Sequence, residues 1–221
     1  MAINYINVID ALAAFILLTA FIAVASSRTV SLARLFALQS IALGLLALAV
    51  AFYTGVNHIY VVAVLALAIK GAVIPWMLRE VMDRIGVDKR VEPLVSIPAS
   101  LLACGALTII AFYITQPIIF TSGAIDTITK NCLAISLAVV LIGFFTMISR
   151  KKALTQVMGL LTMENGLFLA AISVTYGMPM IVELGVFFDI LVAVLIMGLL
   201  VFRISRTFET VDTSILRRLR D

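Results

Sequence analysis

Residues 154–176 read LTQVMGLLTMENGLFLAAISVTY, an apolar run with Glu164 at its middle. About 20 mainly apolar residues cross a bilayer as a helix, so this stretch is a spanning segment. Placing a charged side chain at the centre of such a helix costs at least about 2.5–3.5 kcal/mol on insertion scales. A residue kept at that cost has a partner, a hydrated cavity or a task. Gly159 and Gly166, two turns apart, present one small-residue face on which a neighbouring helix can approach closely. Thr162, Glu164 and Asn165 add polar groups at the same level. A half-desolvated carboxylate there can exchange a proton near neutral pH unless a cation sits beside it.

Six more apolar runs flank this one, at 5–25, 35–53, 59–78, 94–114, 128–148 and 181–201, so the fold class is all-α, a polytopic transmembrane helical bundle of about seven spans. Composition agrees. Of 221 residues, 63% are hydrophobic and only 13% charged, and the mean hydropathy is +1.20, far from the usage of soluble domains. A lipid bilayer is therefore the expected solvent, and no room remains for a soluble catalytic domain. Ala23-Val24-Ala25 resembles a signal-peptidase site, but no Lys or Arg precedes it and the apolar run is longer than a signal sequence needs, so the first helix is expected to be retained.

Charge orients the bundle. An N-terminus outside and a cytoplasmic C-terminus place Arg28, Arg34, Arg79, Arg84, Lys89, Arg90, Arg150, Lys151, Lys152, Arg203, Arg206, Arg217, Arg218 and Arg220 on the inner side. These are fourteen of the 16 Lys and Arg residues, the asymmetry that the positive-inside rule describes. Tyr5, Tyr53, Tyr60, Tyr113 and Tyr176 then fall near outer helix ends, where amphipathic rings sit at headgroup level. The expected divisions are a three-span part at 1–93, a fourth span with its outer loop at 94–127, a three-span module at 128–205 and a basic cytoplasmic tail at 206–221. The net charge of +4 reports topology and attraction to lipid headgroups rather than a nucleic-acid partner.

No phosphate loop, dinucleotide fingerprint, HExxH or GxSxG motif occurs, so the chain carries no recognisable catalytic centre. Cys104 and Cys132 each stand alone in an apolar run, which excludes a thiolate-held zinc or iron–sulfur cluster on this chain alone. Chemistry is expected at the ionisable residues within hydrocarbon depth: Glu164, Asp189 and Lys70. At about 1.5 Å rise per residue, Lys70 and Glu164 lie near mid-depth and Asp189 somewhat nearer the outer face, so that the three can share one polar layer. Pro75 removes a backbone hydrogen bond just below Lys70 and is expected to bend the helix there. Glu183 and Asp10 lie closer to outer helix ends, and His58 sits in an outer turn. Two readings stay open: proton transfer through Glu164 and Asp189 with Lys70 modulating them, or a permanent ion pair of Lys70 with an acid that only holds the bundle together.

Ile148-Ser149-Arg150-Lys151-Lys152, followed by a span with Gly159-Leu160 and a buried Glu and then by one with a buried acid ending at Arg203, resembles the K subunit of respiratory complex I and the C subunit of Mrp antiporters. In that family the first glutamate directly follows the Gly-Leu pair. Here Leu161 holds that place, and Glu164 comes about one turn later; Asp189 stands for the second glutamate. The whole chain resembles the hydrogenase-4 component E family more closely, through Leu161-Thr162-Met163-Glu164-Asn165-Gly166, Val182-Glu183-Leu184-Gly185 with Asp189, and Lys70 followed by Pro75. The resemblance implies an inner-membrane subunit of a formate hydrogenlyase-type or other membrane-bound hydrogenase complex, contributing to proton or cation translocation. It implies antiporter-like membrane subunits and a hydrogenase membrane anchor as partners, with the nickel–iron centre and iron–sulfur clusters in partner subunits and no cofactor here. A free-standing small cation transporter and a purely structural scaffold are the alternatives.

Overall fold

The computed structural model describes residues 2–85, 93–122 and 129–175. Six helices among them are long and apolar enough to span a membrane. In chain order the elements are α1 (Ala2–Ala25), α2 (Thr29–Thr54), α3 (Asn57–Ala66), a π-helical segment (Leu67–Val73), α4 (Ile74–Ile85), α5 (Ile97–Ser122), α6 (Lys130–Ile148) and α7 (Ala153–Thr175). The third span is thus one helix in three parts, α3, the π segment and α4. The expected seventh span, 181–201, and the basic tail lie outside the described residues.

Boundaries moved where apolar pattern and helix end disagree. Helix α2 begins at Thr29 rather than 35, because the turn Ser26-Ser27-Arg28 already breaks the chain and nothing between Thr29 and Arg34 stops a helix. Helix α5 starts at Ile97 and continues through Pro117 to Ser122, so much of what read as an outer loop after residue 114 is helical. The outer turn between α2 and α3 is as short as expected. Gly55 there takes φ 67°, and its N–H reaches back to Ala51 O at 2.9 Å, the left-handed helix ending that favours glycine.

Helices α1 and α2 form the centre. Helix α2 packs on α1, on all three parts of the third span and on α7, while α6 lies between α7 and α5. The main core joins Ile9, Ile16, Leu43, Leu46, Ile59, Val139 and Leu169 from five helices. Successive helices alternate in direction, and the contacts at each end bear this out. At one end Tyr5 meets Tyr53 edge-on at 6.2 Å, Asn131 Nδ2 donates to Asp10 Oδ2 at 3.0 Å and Thr129 Oγ1 to Ser173 O at 3.0 Å. At the other, Arg150 Nη2 donates to Val24 O at 2.5 Å. The basic turns after α1 and after α6 therefore share one end, as the charge pattern requires.

The tightest packing is between α6 and α7. A Cβ built on Gly143 would lie 2.4 Å from Met163 N, on Gly159 2.6 Å from Met147 N, and on Gly166 2.8 Å from Val140 N. Backbone meets backbone along the whole pair, which is how small residues drive association in lipid, where no hydrophobic effect separates helices from solvent. Gly143→Ala cannot be relieved by moving a side chain, and is expected to cost about 2 kcal/mol, seen as a drop of roughly 4–8 °C in thermal unfolding in detergent. Gly105→Ala on α5, where an added Cβ meets nothing within 4 Å, is the control and should leave the midpoint unlowered.

Candidate functional site

Glycines 159 and 166 hold α7 against α6 on one face, and this turns Asn165 towards α2; Glu164 lies on the stripe of Phe168, four residues on. Asn165 is fully buried. Its Nδ2 donates to Gln39 Oε1 at 3.1 Å and to Ser40 Oγ at 3.2 Å. Gln39 Nε2 in turn donates to Ile16 O at 3.2 Å, and Thr19 Oγ1 donates to the same carbonyl at 2.7 Å. A hydrogen-bonded line therefore runs from α7 through α2 to α1 within the apolar core. Thr162 does not join it, since its hydroxyl bonds back to Met158 O of its own helix at 2.9 Å.

Lys70 is 2% exposed and lies within the π-helical segment. There the N–H of Ile74 reaches Ile69 O, five residues back. Pro75 has no N–H to offer the Lys70 carbonyl one π turn before it. Sequence reasoning placed a bend here; the structure resolves the disruption as a widened turn, a form that recurs at functional positions. The Lys70 ammonium lies 5.3 Å from the centroid of the Phe168 ring, within cation–π range. Phe168 follows Glu164 by one turn of α7, and Ile41, next to Ser40, lies 3.4 Å from the position of a Gly71 Cβ. Three stretches, 39–41, 70–71 and 164–168, thus meet at one level of the bundle.

Of the predicted residues, Lys70 meets α7 at Phe168, one turn after Glu164, and Asn165 reaches α2. Glu164 is half-buried, and its Oε2 is buried without a hydrogen-bond donor among the described residues, as is Asn165 Oδ1. Asp189 and Glu183 lie outside the described residues. Asp10 sits at the far end with Asn131. Both cysteines are buried as small apolar groups, and among the described residues no group of three or more His, Cys, Asp or Glu could hold a metal ion.

Gln39, Ser40 and Arg150 were missed. Two adjacent polar residues within the apolar stretch that runs from Leu35 to Tyr53 of α2 were the available signal for the first two. Arg150 read as an ordinary inner-side charge, but it is 2% exposed. One N–H group bonds Val24 O, at the negative end of the α1 dipole, while Nε and Nη1 have no partner among the described residues. Burial pulls this guanidinium below its ordinary pKa, with the nearby Cys104 opposing; arginine remains charged regardless. Its own carbonyl accepts from Gln156 Nε2 at 2.9 Å, and Leu94 N donates to Ser149 O at 2.9 Å, so this turn is a packed knot rather than a loose loop.

The residues that build this layer fall partly within a recognised module. Residues 131–221 match the family model for NADH-ubiquinone/plastoquinone oxidoreductase chain 4L. Along its length the chain is 34% identical over 219 residues to the uncharacterized protein Rv0085 of Mycobacterium tuberculosis, covering 99% of this chain and 98% of that one. Hydrogenase-4 component E of Escherichia coli K12 and that of Shigella flexneri are each 32% identical over 124 residues, 56% of this chain and 56% of theirs. The chain belongs to one family with Rv0085, and it resembles the hydrogenase-4 component E proteins over 56% of its length. It is a multi-pass membrane protein of that family, and its match to the enterobacterial component E proteins spans about half of their length. No solved structure matches. The chain 4L match takes in α6 from Asn131 and the whole of α7, so Gly143, Gly159, Glu164 and Gly166 lie within it.

The line through Asn165 is testable apart from any activity. Asn165→Ala and Gln39→Ala should each lower stability in a detergent unfolding titration by about 1–3 kcal/mol, since each orphans a buried partner. The double variant should show a coupling of about 0.6, at most about 1.7 kcal/mol. Strict additivity would mean that the two amides do not bond.

Proposed function

We propose that this chain is a cofactor-free subunit of a membrane-bound, complex I-like hydrogenase, and that Glu164 loads and releases protons in its midplane layer. The observation that carries the reading is a carboxylate oxygen buried without a donor among the described residues, on the helix whose next turn holds Phe168 under the Lys70 ammonium. Such a group is chemically competent to take up and release a proton, and intramembrane acids facing a bundle interior mark ion pathways. Asp189 is the second carrier in this reading and Glu183 a secondary one nearer the outer face. Lys70 modulates both electrostatically. Hydrogenase-4, from which the component E relatives take their name, supplies the context: an inner-membrane assembly whose antiporter-like subunits and hydrogenase anchor flank this chain, and whose nickel–iron and iron–sulfur centres reside in those partners. The chain then links the hydrogenase module to the membrane arm and completes an ion path with a neighbouring subunit.

In the complex reconstituted into vesicles, Glu164→Gln should leave assembly and hydrogen turnover in place while lowering coupled proton movement by at least about tenfold. Unchanged pumping would reject the assignment. Lys70→Leu separates the remaining readings. A charge that only ties the bundle would show itself as lost assembly, whereas an electrostatic modulator gives an assembled complex whose pumping has a displaced pH profile.

A further inference from the structure

At the end of the bundle that carries the basic turns, an open cavity of about 430 Å³ lies between α1 and α2, lined by Ile22, Ala25, Ser26, Ser31, Arg34 and Leu35. Its lining combines the apolar Ile22, Ala25 and Leu35 with Ser26, Ser31 and Arg34, and no acidic side chain is among the lining residues. Arg34 is exposed and makes no ion pair or hydrogen bond with any described residue, Arg28 beside it is exposed as well, and no Asp or Glu occurs between Asp10 and Glu80. The first turn of α2 holds no acid, so the positive end of its dipole adds to the same field. From the cavity, exposed apolar side chains continue towards the bundle middle on both helices: Ile22 and Leu18 on α1, Leu38 and Leu45 on α2.

We infer that this cavity is a binding site for an anionic glycerophospholipid. The guanidinium fork of Arg34 matches phosphate oxygens, the Ser31 hydroxyl can donate to the same group, as can that of Ser26 on leaving its 3.3 Å bond to Arg28 O, and the acyl chains lie along Leu18, Ile22, Leu38 and Leu45. A lipid is favoured over an acidic protein segment because a mainly apolar cavity with Arg34 and two serines in its lining is continued by the exposed Leu18, Ile22, Leu38 and Leu45, which a headgroup with its tails fills and a carboxylate-rich peptide does not. The proposal is independent of the proton-transfer reading, since it uses none of the same residues.

The test is native mass spectrometry of the full-length chain in mild detergent, supplied with phosphatidylglycerol, phosphatidylcholine or inorganic phosphate. One retained phosphatidylglycerol per chain is expected, with phosphatidylcholine held less. Arg34→Gln should lower occupancy about fivefold, the effect of one basic residue at an anionic lipid surface. A Ser26→Ala/Ser31→Ala variant should lower it too, while Arg79→Gln, at the same end but outside the cavity, should not. Equal retention of the two lipids, equal loss in Arg79→Gln, or displacement by millimolar phosphate would overturn the site. So would a photo-crosslinker at position 34 that captures an acidic protein segment, rather than lipid, in the assembled complex.

Discussion

Contact between the backbones of α6 and α7 sets the geometry of everything near Glu164. In lipid, a helix pair gains little from hiding apolar side chains, so association rests on close packing and on polar groups that find partners. Gly143, Gly159 and Gly166 let the two helices touch main chain to main chain, and that contact fixes the rotation of α7 about its axis. With the glycine face packed on α6, Asn165 points to α2, and Glu164 shares a stripe with Phe168, the residue that meets Lys70. A slip of a single residue would carry the acid towards lipid or into the α2 core.

Around that axis the bundle shows three different ways of keeping polar groups in a poor solvent. Thr54, Thr108, Thr115, Thr146, Thr162 and Ser173 return their hydroxyls to carbonyls of their own helices, which satisfies them locally and makes them silent. Asn165 donates across helices to Gln39 and Ser40 and so specifies which helices meet. Lys70 and Arg150 are the third kind, full charges with almost no exposure. Arg150 is anchored at a helix C-terminus, where the dipole favours a cation, and its role is fully explained by the knot it closes between α1, α6 and the start of α5. Lys70 instead sits in a widened turn and faces the helix that carries Glu164, which is where a charge that responds to its neighbours is useful.

The π-helical segment links fold and site. A regular α-helix continued through residues 67–75 would set the Pro75 ring against the Gly71 carbonyl. The extra residue in the turn relieves that clash and rotates the Lys70 side chain relative to the residues below it. Local backbone accommodation of a proline thus determines where an ammonium group meets α7.

Much of this was legible in the chain itself. The helical type of the spans, the glycine face of α7 and the burial of Lys70 follow from one-dimensional properties: apolar run length, the cost of a buried charge, and the 3.6-residue period that puts Gly159 and Gly166 on one stripe. Helix ends were less legible, as at α2 and α5, because hydropathy marks where lipid stops and hydrogen bonding marks where a helix stops. What needed the tertiary structure were relations between segments distant in sequence. Gln39 and Ser40 are neutral and signal little until Asn165, 125 residues away from Ser40, is seen to bond them; Arg150 looked like a loop charge until α1 closed over it. Composition and periodicity decide what each helix can face, but only packing decides which neighbour it faces, since in an apolar solvent many pairings satisfy the same pattern and the close fit of glycine, proline and amide selects one.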